Sequence, residues 1–353
     1  MTSALTSYRL LGRSGLRVSP LSLGAMTFGI ENGWGADEAE SRRMFDTYVD
    51  RGGNFIDTAN IYTGGTSEKW LGKFAADKRN SLVIATKYTF TVTGDDPNGS
   101  GNQRKNMMRS VNESLKRLNT DYIDLLYLHG WDDCTPGEEV MRGMEDLVRA
   151  GKVLYVGISN TPAWQVARMQ TIADLRGWSP LIAYQMEYSL IARTCERDLI
   201  PMSAALGLGV IPWSPLGSGV LTGKYSRADL SDIPASDFSS RKALAQMAGS
   251  LSARGLDIAD VVRAVASEIG KTPAQVALAW ALLNPAVTSP IIGARTVAQL
   301  EDNLGALDVR MDDAQIKRLH DASAIELGNP HDLLTGPVPQ FLMYGKHPVE
   351  KRK

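Results

Sequence analysis

The chain has 353 residues, enough for one large barrel or two ordinary domains. It is 43% hydrophobic and 22% charged with a formal net charge of −1, a globular composition with no general electrostatic pull toward nucleic acid or an anionic membrane. Two cysteines, Cys134 and Cys195, are too few for a disulfide framework or a zinc cluster, so ordinary packing in a reducing compartment is expected.

The N-terminus is polar (Thr2, Ser3, Thr6, Ser7) and lacks an apolar signal core. No stretch reaches the roughly 18 consecutive apolar residues of a membrane span. The expected address is the cytoplasm. Tyr8–Leu11 and Leu16–Val18, around Gly12 and Gly15, read as a short hairpin. Leu21–Leu23 is a first strand, and Ala36–Arg51 is a helix stopped by Gly52 and Gly53. Phe55–Asp57 is a second strand. Ser67 is a candidate N-cap for a helix through Phe74. Leu82–Thr86 is a third strand. In the helix Arg104–Leu118, Met108, Val111, Leu115 and Leu118 recur at helical spacing.

Ile123–Leu128 is the fourth strand, followed by a helix over Glu138–Ala150 with Gly151 at its stop. Leu154–Ile158 is the fifth, and Pro162 opens the next helix. Leu181–Gln185 is the sixth, Arg197–Leu206 a helix and Gly209–Pro212 the seventh strand. A long segment from Leu216 to Asp257, rich in Gly, Ser and Asp, reads as irregular and is expected to form a cofactor and substrate loop over 217–257. Ile258–Ile269 and Pro273–Leu283 are helices, Val287–Ile292 is the eighth strand, and Thr296–Leu304 and Asp312–Ala322 complete the helices. The tail 326–353 reads as a loop. Eight β-then-α units without a compositional break predict a single (β/α)₈ barrel over 1–353. An open doubly wound sheet would carry a glycine-rich dinucleotide fingerprint after its first strand, and Gly24-Ala25-Met26-Thr27-Phe28-Gly29 does not have that spacing.

Four polar residues stand at or just past the ends of short apolar runs: Asp57 and Tyr62 after Asn54-Phe55-Ile56, Lys87 after Leu82–Thr86, and His129 after Ile123–Leu128. A buried parallel strand reads as such a run, and a barrel keeps its chemistry at the carboxyl ends of its strands. Each residue has an ordinary role when taken singly: a turn aspartate, a packing tyrosine, a solvated lysine, a satisfied histidine. Together they suit carbonyl chemistry. A phenol has a reference pKa of about 10, and a nearby cation lowers it. Lys87 would supply the cation, Asp57 would hold Lys87, and His129 would orient a carbonyl oxygen beside Tyr62. Such a site moves a proton but needs a hydride source, usually nicotinamide.

The run Gly53-Asn54-Phe55-Ile56-Asp57-Thr58-Ala59-Asn60-Ile61-Tyr62 resembles the Gly-x-x-x-x-Asp-Thr-Ala-x-x-Tyr signature of the aldo-keto reductases. The resemblance runs through Tyr8 to Gly29, Gly157-Ile158-Ser159-Asn160, Gln185 with Glu187-Tyr188, Trp213-Ser214-Pro215-Leu216 to Gly223-Lys224, and Pro290-Ile291-Ile292-Gly293 to Asn303. It implies a metal-free (β/α)₈ reductase of aldehydes or ketones that uses NADPH, with a tetrad of Asp57, Tyr62, Lys87 and His129 and with Tyr62 as acid/base. It also implies that Ala25, Met26 and Asp57 border the cofactor. Ser159, Asn160 and Gln185 would hold the carboxamide, and Trp213 would stack on the ring. Ser214, Pro215, Leu216, Gly217, Ser218 and Lys224 would follow the pyrophosphate. Gly293, Arg295 and Gln299 would meet the 2′-phosphate, and Asp302 and Asn303 the adenine. Arg295 favours NADPH over NADH, because a guanidinium pairs well with a phosphate.

For the substrate, Phe28, Trp34, Tyr88 and Trp131 are candidate pocket aromatics beside Tyr62 and His129, whereas Phe90 is expected to pack on a loop. An aromatic cleft of this kind suits an apolar carbonyl compound. The expected partner is thus a small carbonyl or alcohol, with no nucleic acid or membrane. The alternative is a regulatory NADPH sensor, because the voltage-gated potassium-channel β-subunits are similar. Trp213 resembles that branch, but those proteins carry Asn where this chain has His129.

Overall fold

The computed structural model describes residues 4–92, 94–230, 240–335 and 337–347. Short runs of β-branched and apolar residues form eight parallel strands: β1 (Ser22–Gly24), β2 (Phe55–Asp57), β3 (Val83–Tyr88), β4 (Ile123–Leu128), β5 (Val153–Ser159), β6 (Leu181–Glu187), β7 (Gly209–Trp213) and β8 (Ile291–Gly293). They pair in chain order, and β8 returns to lie beside β1. A single bridge between Val210 and Val287 joins the remaining edge, so the sheet closes into a barrel. The antiparallel hairpin Arg9–Leu10 with Arg17–Val18 precedes it.

The sheet separates two apolar layers. Phe55, Ala85, Leu125, Tyr127, Ala183 and Ile211 point into the barrel. Ile56, Ile84, Leu126, Val156, Tyr184 and Val210 point out to the helices. This alternation on buried strands makes every second residue of β2, β3, β4 and β6 an axial one. Asp57, Lys87 and Gln185 therefore face the axis at the carboxyl end.

The helices are α1 (Glu38–Asp50), α2 (Thr66–Ala75), α3 (Arg104–Leu118), α4 (Gly137–Arg149), α5 (Ala163–Arg176), α6 (Leu199–Leu206), α7 (Arg241–Met247), α8 (Ala253–Glu268), α9 (Pro273–Leu283), α10 (Val297–Leu304), α11 (Asp313–Ser323), α12 (His331–Thr335) and α13 (Pro337–Tyr344). Several boundaries depart from the sequence reading. Ser67 is not an N-cap: α2 begins at Thr66 after Gly65 at φ 95°, and the Ser67 hydroxyl donates to the Ala25 carbonyl at 2.7 Å instead. The eighth strand is shorter than Val287–Ile292, because Pro290 has no N–H to give the ladder. The segment expected to be irregular holds 3₁₀ turns at Gly217–Thr222 and Arg227–Leu230, then α7, and then the first turn of α8. Ser240 and Ser252 cap those two helices, a signal that the glycine and serine content of the segment obscured. Positions 231–239 of that loop lie outside the described residues. The tail, read as a loop, carries α12 and α13, and its last residues, 348–353, also lie outside. No helix among the described residues is long and apolar enough to cross a membrane.

Candidate active site

β2 ends at Asp57, and the chain then rises into a 3₁₀ turn, Tyr62–Gly65, in which Thr63 and Gly64 adopt φ of 48° and 62°. That left-handed reversal sets the Tyr62 ring back over the barrel mouth. Lys87, on β3, is fully buried, and its Nζ lies 2.5 Å from Asp57 Oδ1, 2.8 Å from the Thr58 carbonyl and 3.2 Å from the Tyr62 hydroxyl. An ammonium with three donors is thereby satisfied by three oxygens. The second Asp57 oxygen accepts from Gln185 Nε2 at 2.8 Å. His129 follows β4, and its ring centroid is 6.0 Å from that of Tyr62 at an 80° interplanar angle. Its backbone N–H donates to the Tyr88 carbonyl and to Thr89 Oγ1. Thr89, a non-glycine residue at φ 116°, passes that link on to Asn102 at 2.9 Å. The four residues picked out at strand ends meet at one place.

Electrostatics assigns their states. Burial lowers the Lys87 pKa, but Asp57 and Tyr62 more than offset it, so the net direction is upward and the amine is a cation. For Tyr62 the outcome differs from the expected depression. Burial raises its pKa, and this outweighs the lowering by Lys87, so the phenol keeps its proton near neutrality. His129 is driven down to about 2 by burial and by the charge of Lys87, which makes it a neutral imidazole. Its Nδ1 is buried without a partner.

Asp57, Tyr62 and His129, with Lys87 buried behind them, form one wall of a cavity of about 660 Å³ that runs from the barrel mouth to α7 and α10. Of the positions expected at a cofactor, Met26, Asp57, Asn160, Gln185, Trp213, Ser214, Pro215, Leu216, Ser218, Lys224, Gly293, Arg295, Gln299, Asp302 and Asn303 line it. Ala25, Ser159 and Gly217 are buried behind the wall, where Ala25 accepts the Ser67 hydroxyl and the Ser159 Oγ has no partner. Trp213 Nε1 donates to Asn160 Oδ1 at 3.2 Å, and Asn160 Nδ2 donates to the His129 carbonyl at 2.9 Å.

At the far end the sequence reading missed Arg241, because α7 lies in the segment read as loop. Burial and the neighbouring Arg295 lower its pKa, and Lys224 is lowered by burial and by both arginines. Three like charges held together disfavour one another and call for an anion. A nucleotide phosphate fits that end. The loop between carries Ser214 (52°) and then the successive Gly217 (54°), Ser218 (52°) and Gly219 (92°) at positive φ, a conformation that favours backbone contact with anions. The orphaned Ser159 hydroxyl, on a residue paired in register with Gln185, is, like His129 Nδ1, an unfilled polar group at the near end.

The expected substrate aromatics divide differently. Phe28 and Tyr88 are fully buried and do not face the cavity: Phe28 packs on Phe74 and Tyr88 reaches the Asn102 carbonyl. Trp34 lies under the Arg241 guanidinium, 5.2 Å from its ring, and Trp131 packs half-buried with its Nε1 unpartnered. Phe90, expected to pack on a loop, does lie against loop residue Gly130, and it also meets the histidine. It is 41% exposed, and its ring centroid is 4.5 Å from that of His129. Its position three residues past Lys87 was the available signal. Among the described residues no His, Cys, Asp or Glu cluster suits a metal ion.

The aldo/keto reductase family model matches residues 20–324. A norsolorinic acid reductase of Aspergillus flavus is 38% identical over 340 residues, covering 93% of this chain and 84% of that protein. An uncharacterized oxidoreductase of Bacillus subtilis is 38% identical, covering 89% and 95%. An aryl-alcohol dehydrogenase of Pestalotiopsis microspora is 36% identical, covering 94% and 85%. The chain therefore belongs to the aldo/keto reductase family and is an oxidoreductase of carbonyl and alcohol groups.

Proposed function

We propose that this enzyme interconverts an aromatic or bulky apolar carbonyl compound and its alcohol, with NADPH as the hydride source and Tyr62 as the proton donor. The observation that carries the reading is the line Asp57–Lys87–Tyr62, in which a cation 3.2 Å from a protonated phenol meets a neutral histidine at the same mouth. When bound, the nicotinamide supplies the hydride. The protein's part is to bind, orient and give the proton. His129, neutral and an N–H donor or acceptor, orients the carbonyl oxygen toward Tyr62. The Tyr62 hydroxyl gives its proton to that oxygen, and Lys87 stabilises the phenolate left behind. In the reverse direction the same phenolate is the base.

Ser159, Asn160 and Gln185 would hold the carboxamide, Trp213 the ring face, and Lys224, Arg241 and Arg295 the phosphates. Arg295 and Arg241 support NADPH over NADH, because guanidinium groups pair with a 2′-phosphate that NADH lacks. The aromatic substrate class is inferred from Phe90, whose exposed ring lies against that of His129, and from relatives named for norsolorinic acid and aryl alcohols. The test is loss of NADPH absorbance with an aromatic aldehyde, run beside NADH and beside Tyr62→Phe. Steady turnover that disappears in the variant supports the reading. Tight NADPH binding without turnover on a broad carbonyl panel would replace it with a sensor role.

A further inference from the structure

Beneath the tetrad lies a phenol that the chemistry above does not use. Tyr127 points inward on β4, two residues before His129, and is paired in register with Lys87 on β3 and Gly157 on β5. It is fully buried among the axial residues. Its ring lies against Gly157, where a Cβ would stand 2.6 Å from a ring carbon. The glycine is required here by packing, and the space it leaves lets the ring cross toward β6, which carries Gln185.

The Tyr127 hydroxyl has no hydrogen-bond partner in the structure. A buried hydroxyl left unpaired is costly, so a partner within reach is expected to be used. Asp57 and Gln185 are the groups near enough to act on its acidity, which burial and the Asp57 charge push far upward. Gln185 has its Nε2 committed to Asp57, and its Oε1 accepts nothing from the described residues. A hydroxyl that remains protonated is a donor, and the uncommitted amide oxygen of Gln185 is the acceptor available to it. That oxygen has two lone pairs, so one stays available to a bound ligand.

We propose that Tyr127 is a positioning residue for the tetrad, its hydroxyl donating to Gln185 Oε1 and so holding the amide with Nε2 on Asp57. An amide turned the other way would set its oxygen against the carboxylate. Asp57 would then take a proton from Lys87, the ion pair would become neutral, and Tyr62 would lose the cation that supports its phenolate. The titratable groups around Tyr127 are Asp57 on β2, Lys87 on β3, His129 just past β4 and Tyr155 on β5, with Tyr62 above. Lys87 is the one cation among them.

The inference rests on Tyr62 as proton donor. It is tested with Tyr127→Phe, which removes one oxygen and keeps the ring, beside wild type and Tyr62→Phe. We expect an unchanged melting temperature and unchanged NADPH affinity by fluorescence titration. The plateau of kcat should fall several-fold and its solvent deuterium isotope effect should rise. The alkaline limb should move up by about one pH unit, the scale of one hydrogen bond. Superimposed profiles for wild type and Tyr127→Phe, with Tyr62→Phe inactive, overturn this inference alone. So does a fall in kcat that accompanies a lower melting temperature with no movement of the limb, or a variant that fails to fold. A wild-type protein without turnover takes down the reading of Tyr62 and this inference with it.

Discussion

Lys87 Nζ stands 3.2 Å from the hydroxyl oxygen of Tyr62 and 4.8 Å from the centroid of its ring, a cation set at the polar edge of a phenol. The pair is built from two elements, since Lys87 lies on a barrel strand and Tyr62 on the turn after its neighbour. Burial decides the resting state, a protonated phenol. In the proposed reaction Lys87 would act when the proton leaves, because the charge that then appears would be placed beside a waiting cation.

Tyr62→Phe is expected to lower kcat by roughly 10²- to 10⁴-fold, the usual worth of a positioned proton donor. NADPH affinity, read by fluorescence titration, should hardly change. A variant that still turns over at wild-type speed would remove Tyr62 from the chemistry.

The Lys87 and Asp57 side chains are 0% and 3% exposed. Lys87→Met therefore leaves a buried carboxylate without its partner and should cost about 3–5 kcal/mol in urea denaturation. Adding Asp57→Asn should recover part of that loss, because the two changes remove one shared interaction. Strict additivity would contradict a coupled pair.

The pH dependence follows from two directions. His129 titrates at about 2, far below an ordinary histidine, so it stays neutral through the range around pH 6.5. Tyr62 lies above its ordinary value, so it stays protonated there as well. Carbonyl reduction should thus be flat across neutrality and fall only on the alkaline side. Stability should behave oppositely. The unfolded chain binds a proton at His129 below about pH 6.5 and the folded one does not, so stability falls as pH drops through that window. Replacing His129 by Asn should make the acid loss shallower in urea midpoints; an unchanged slope would argue against a depressed histidine.

Arg295→Ala and Arg241→Ala are each expected to weaken NADPH by about 10- to 100-fold, one charge-assisted contact, and NADH much less. Equal losses for both nucleotides would move these guanidinium groups away from the 2′-phosphate.

Phe90→Ala should raise KM for aromatic aldehydes by several-fold while sparing small aliphatic ones, because its exposed ring lies 4.5 Å from that of His129. A uniform change across both substrate classes would make Phe90 a packing residue.

The amino-acid sequence by itself determined the barrel and the four residues that meet at its mouth. Buried parallel strands must be short apolar runs, so their ends are visible, and Asp57, Tyr62, Lys87 and His129 stand at those ends. Family motifs around Ser159, Gln185, Trp213 and Arg295 extended the reading along the cavity. Side-chain direction was not legible. Phe28 and Tyr88 sit at strand ends as convincingly as Phe90 does, yet both turn into the core. Arg241 joined the cavity only once α7 formed inside a segment whose glycines and serines hid it. The charge balance at Tyr62 was hidden too, because a sequence shows that a lysine is near but not how much water the fold removes. Desolvation depends on all surrounding groups at once, and that is set by the packed tertiary structure.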